Sequence, residues 1–201
     1  MKKKILLFIL IIVFVYAIGG VVYLKMIRKE PEVVKVESLD TIKGYDYVLR
    51  SNDTEYYKRL FNELKKLLEG KDVNDEEYAK LIAKMFVTDL YTLDNKLNKY
   101  EVGGAMFVHP DYIQNYKLNV QNTLYKYMED NSTKSRKQAL PEVVEVNITN
   151  TEKTNYKIND NSLTGYKITL EWTYKTDLGY DSKGEVTLVK VDNTYYVVQK
   201  D

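Results

Sequence analysis

The chain has 201 residues, with 30 basic side chains against 29 acidic ones, no cysteine and a single histidine. The near-zero net charge gives no field to gather nucleic acid. The missing cysteines exclude disulfides, thiolate zinc sites and thiol catalysis.

Met1-Lys2-Lys3-Lys4 precedes an apolar run from Ile5 to Leu24, twenty residues without a charge, and Lys25, Arg28 and Lys29 follow it. At ~1.5 Å per helical residue the run reaches about 30 Å, the hydrocarbon thickness of a bilayer. Residues 1–29 therefore read as a membrane anchor with basic flanks. A cleaved signal peptide is the competing reading, because Val15-Tyr16-Ala17 offers small-residue cleavage chemistry. The run continues to Leu24, past the ~7–15 residues of a signal-peptide core, and that favours a retained anchor. Flanking basic residues balance, with the amino terminus as a further charge on the first side. The expected arrangement is a single-pass cell-membrane protein with its carboxy-terminal domain outside the cytoplasm.

Residues 30–50 hold Pro31, mixed charge and short apolar pairs, and read as a tether. Residues 51–201 read as one α+β domain. Tyr57, Leu60, Phe61, Leu64, Leu67 and Leu68 recur at helical spacing between Ser51 and Gly70, with Asn52 and Glu55 placed as a capping box. A second helix is expected after Asn74, with Tyr78, Ile82, Met85, Phe86 and Leu90 on its inner face. Residues 92–110 are irregular and contain Gly103-Gly104. A third helix is expected from Pro110 to about Asp130, with Ile113, Tyr116, Val120, Leu124 and Tyr127 as its stripe.

After Pro141 the period changes to two. Val144, Val146 and Ile148 predict one strand, and residues 153–159 a weaker second. Tyr166, Ile168, Leu170, Trp172 and Tyr174 alternate with polar residues in the clearest strand, and residues 184–191 and 194–200 predict a terminal hairpin around Asp192-Asn193. Three helices before four to five antiparallel strands give the α+β class.

The candidate chemistry is sparse. His109, beside Asp111 and within twenty residues of Asp89, Asp94 and Glu101, is the one candidate general base. Set against that role is an ordinary histidine at a helix entry. Gly103-Gly104 reads as a tight turn of positive φ, against a loop hinge or a close approach of the backbone to a ligand. Residues 134–137 are a short basic run that reads as a solvated loop. No motif calls for a metal or a cofactor, and none is expected. The nineteen tyrosines are the notable excess, and neighbouring strand residues such as Tyr195 and Tyr196 face opposite ways. Tyr195, Tyr196, Tyr180, Tyr91 and Phe107 are the candidate interaction residues, since exposed aromatics suit interfaces. Half-buried sheet packing and carbohydrate contact are the competing uses.

This order of elements resembles the NTF2-like cone, a helical half leading into a curved antiparallel sheet. With one membrane helix in front, it is similar to the VirB8-type components of bacterial conjugation and type IV secretion machines. Tyr91-Thr92-Leu93-Asp94-Asn95-Lys96 through Val102-Gly103-Gly104-Ala105-Met106-Phe107-Val108 looks like a family signature. The resemblance implies an exported domain that serves in assembly and is not an enzyme. Its expected partners are the membrane through residues 5–24, other envelope or secretion-machine proteins, and a second copy of itself. A ligand-binding or hydrolytic pocket and a cell-wall glycan module are the alternatives.

Overall fold

Alternation from Tyr166 to Trp172 places Tyr166, Ile168, Leu170 and Trp172 on one buried face, in a computed structural model that describes residues 35–201. The class is α+β, and its main sheet has four antiparallel strands in the order β3-β4-β5-β6: Val143–Ile158, Asn161–Tyr174, Lys183–Val191 and Thr194–Lys200. Asp192 takes a left-handed φ of 52° in the last hairpin, at the expected turn.

The two separate strands expected after Pro141 are one strand of 16 residues. Nothing in Asn150-Thr151-Glu152 forces a turn, and the polar side chains sit on an edge strand where both faces can be wet. Bulges between Val143 and Glu145 and between Ile148 and Asn150 bend it. The first bulge turns Val143 fully inward and leaves Val144 half-buried, against the expected alternation.

Helix α1 runs Glu55–Leu68, and its Tyr57, Leu60, Phe61 and Leu64 are buried as the spacing predicts. Its cap is Thr54, whose hydroxyl accepts from Tyr57 N–H, so the expected Asn52–Glu55 box does not form. Asn52 instead donates to Asn95 O and Glu101 Oε1, at 2.9 and 2.8 Å. Helix α2, Asp75–Tyr91, starts at Asn74 as expected, with the Asn74 side chain accepting from Glu76 and Glu77 N–H. Every residue from Met85 to Tyr91 is buried. The second half of this helix is covered by α1, the sheet and the following loop, and forms the centre of the core.

Two further expectations are corrected. The third helix, α3, covers only Ile113–Asn122, after single 3-10 turns at Ala105–Phe107 and Pro110–Tyr112. The chain leaves the helix at Thr123, so Tyr125 is fully buried while Tyr127, expected inside, is 78% exposed. The second correction concerns the tether. Strands β1, Ser38–Thr41, and β2, Val48–Arg50, pair as a small antiparallel hairpin. Ile42, Tyr47 and Leu49 belong to the core, and the Tyr47 and Tyr78 hydroxyls share a 2.7 Å hydrogen bond. The folded domain therefore begins before Ser51. Among the described residues no helix is long and apolar enough to cross a membrane. The run of residues 5–24 lies outside the described residues.

Candidate functional site

The irregular connection after α2 is built on a buried ion pair. Asp89 on α2 and Lys96 in the loop are 4% and 1% exposed, and Lys96 Nζ donates to Asp89 Oδ1. The other carboxylate oxygen accepts from Gly104 N–H at 2.7 Å. Burial alone would raise the Asp89 pKa, but the Lys96 ammonium and the Gly104 N–H hold it below the usual carboxylate range. The two glycines make this return possible. A Cβ on Gly103 would stand 1.9 Å from the Asp89 carbonyl oxygen, and Gly104 takes a φ of +75°. Gly104 thus takes the positive φ of the tight-turn reading, and the close approach made by Gly103 is to the backbone of α2.

Tyrosines fasten the loop from the other side. Tyr116 OH donates to Gly103 O at 2.7 Å, and Tyr125 OH donates to Leu90 O while accepting from Gly103 N–H. Asn52 and Asn95 each donate to the other's backbone carbonyl, and Glu101 accepts from Leu97 N–H. Arg136, expected in a solvated loop, donates to Lys96 O and Asp94 O. The sequence gives a weak sign of this network: an aspartate at an inward position of an apolar helix, seven residues before a lysine. The pairing itself was not anticipated.

Asp53 lies beside this pair, and burial pushes its carboxyl up to about 6. Arg50 N–H donates to it, Asp89 repels it, and Lys96 and Arg50 attract it, but desolvation dominates. A pKa raised on folding favours the native state most below the unfolded value, and that advantage is lost as pH rises through 6. Asp89, with its lowered pKa, acts in the opposite sense and only at lower pH. The domain is therefore expected to lose about 2–3 kcal/mol of stability between pH 4 and pH 7 through Asp53. Asp53→Asn, which keeps an acceptor for Arg50 N–H, should flatten this dependence in urea titrations at pH 5 and 7.5. An unchanged slope would show that Asp53 does not titrate there.

Three of the five candidate interaction residues are core. Phe107 is fully buried against Tyr47, Tyr195 packs edge-on to Tyr78 with centroids 5.1 Å apart, and Tyr91 lies 4.7 Å from Trp172. Tyr195 follows the inward register of Val197, and its neighbour Tyr196 takes the other face, half-buried. Tyr180 is half-buried too, 6.4 Å from Tyr174.

His109 begins the second 3-10 turn. Its Nδ1 accepts from Asp111 N–H at 3.3 Å, its backbone N–H donates to Val197 O, and its ring lies between Tyr112 and Tyr196. Asp111 Oδ2 is 3.8 Å away, so these two are brought together. Asp89 and Glu101 are engaged within the loop instead, and Asp94 approaches Arg136.

Between α3 and edge strand β6 runs a cleft made of two adjoining recesses of about 350 and 470 Å³. Phe86 and Val197 line the first and Tyr91 and Leu124 the second, while Tyr116, Asn119 and Lys200 belong to both. Lys200 Nζ stands 5.4 Å over the Tyr91 ring. Apolar walls with an amide rim suit an apolar or peptide-like occupant. Comparison of the chain with protein-family models, with curated proteins and with solved structures gives no match.

Proposed function

We propose that this protein is a non-enzymatic, membrane-anchored interaction domain of a bacterial envelope or secretion assembly, with an NTF2-like cone on a VirB8-type plan. The observation that carries the reading is the twenty-residue charge-free run, followed within about a dozen residues by a folded domain. An anchor of this kind holds the domain near its partners and raises their effective concentration. The order of elements, three helices and then a bulged four-stranded sheet, supports the cone. The cleft between α3 and β6 is the surface offered to a partner: aromatic and aliphatic walls give contact area, and Asn115, Asn119 and Gln199 give backbone-like hydrogen bonding.

In the cell, the full chain should remain in the membrane fraction after alkaline carbonate washing, and a chain lacking residues 5–24 should not. Recovery of both in the soluble fraction would end the anchored reading. Crosslinkers placed at Asn119 and Gln199 should then capture discrete envelope proteins. The wall-glycan alternative now rests on Tyr196, since Tyr195 is buried. Retention on purified peptidoglycan that declines in Tyr196→Ala would favour it.

A further inference from the structure

A further recess lies at the other side of the loop, where the described chain enters the domain. It encloses about 610 Å³ and is lined by Val36, Ser38, Arg50, Tyr100, Glu101 and Lys117, among others. Large apolar side chains are rarely exposed among the described residues, and one of them belongs to this recess. Of the five exposed ones among the described residues, Tyr100 lines the recess at 69% exposure. Leu39 and Leu118, each 56% exposed, follow the lining residues Ser38 and Lys117 in the chain. Lys99 Nζ stands 5.3 Å over the Tyr100 ring.

We infer that this face rests on the bilayer, with Tyr100 at headgroup level and Lys99 and Lys117 toward lipid phosphates. The inference rests on the anchored reading above. Two independent observations point to a lipid surface. The first is reach: the apolar run ends at Leu24, and the ten residues from Lys25 to Val34 extend at most ~35 Å. The wall of the recess begins two residues later, at Val36. The second is chemistry: an exposed tyrosine with Lys99 over its ring and Lys117 in the same lining is the composition of a membrane–water interface. Of the acidic residues on the recess, Glu101 is held inward by Asn52 and Leu97 N–H, and Glu37 remains at the rim.

The test uses the full chain reconstituted in phosphatidylcholine–phosphatidylglycerol vesicles whose acyl chains are brominated near the headgroup end. Bromine quenches tryptophan only on close approach, and the native Trp172 is buried and common to every variant. Tyr100→Trp is compared with Asn193→Trp. Asn193 lies in the β5–β6 turn, beside the Lys190–Asp75 ion pair at the start of α2. Gly104, near the recess, meets the far end of that helix at Asp89. The two probes thus attach toward opposite ends of α2, whose 17 residues span about 25 Å. Tyr100→Trp should lose about twofold or more of the fluorescence lost by Asn193→Trp, as expected for a residue at the interface. Equal quenching, with the protein floating on its vesicles, would overturn the docked face and leave the anchor standing. Failure to float would overturn the anchored reading and this inference with it.

Discussion

A chain that begins at Ser51 is expected not to fold, whereas one that begins at Lys35 should melt in a single cooperative transition. Ile42, Tyr47 and Leu49 are 1%, 2% and 8% exposed. At about 1.5–3 kcal/mol for each fully buried side chain, the hairpin contributes on the order of 5–9 kcal/mol. The whole stability of a domain is about 5–15 kcal/mol, so the loss is comparable with everything the fold has. The damage also spreads to what the hairpin covers. Tyr78 would lose the Tyr47 hydroxyl, and Phe107 would lose the ring 5.6 Å away that closes the core on that side. Circular dichroism and thermal melts of the two chains decide the matter. A cooperative melt of the shorter chain at the same temperature would mean that the hairpin only decorates the domain.

That hairpin also shows where the sequence stops being legible. Helix α2 was readable because Asn74, the acidic first turn and a long apolar stripe agree with one another. Strand β4 was readable because four inward residues alternate without interruption. Strands β1 and β2 have four and three residues, too few to establish a period, and they lie among charges and near Pro31. What makes them part of the domain is tertiary: Tyr47 reaches Tyr78, 31 residues away. The misplacement of Tyr125 and Tyr127 has the same origin. The helical period would carry Tyr127 inward, but the chain turns at Thr123, where Tyr125 can reach Leu90 O and Gly103 N–H.

The aromatic candidates divide along a similar line. Alternation correctly separates Tyr195 from Tyr196 onto opposite faces, but the pattern alone does not say which face is covered. The helices decide it, and α2 covers Tyr195 through Tyr78. Phe107 lies in the irregular connection, where no period exists to assign it, and Tyr91 is the last residue of α2, where the helical stripe runs out. Tyr91 is buried by Trp172 of the sheet and Phe107 by Tyr47, contacts that are tertiary in origin.

The pairing of Asp89 with Lys96 sets the second large effect. Lys96→Met leaves Asp89 charged, buried and facing only Gly104 N–H. Breaking one partner of a buried pair in this way costs about 3–5 kcal/mol. For a domain of this size that lowers Tm by about 6–20 °C. Asp89→Asn alone should also destabilise, because the Lys96 ammonium then lacks a counter-charge in a site that is 1% exposed. Combining Lys96→Met with Asp89→Asn removes both charges and keeps an acceptor for Gly104 N–H. The double variant should therefore be more stable than the sum of the single changes implies, by about 2–3 kcal/mol of coupling. Urea titrations of the four proteins measure this directly. Strict additivity would mean that the two groups do not depend on each other, and the loop would then be held by Gly104 and the tyrosines Tyr116 and Tyr125. A large coupling would mean that one ion pair folds the connection and fixes the loop that carries Tyr100.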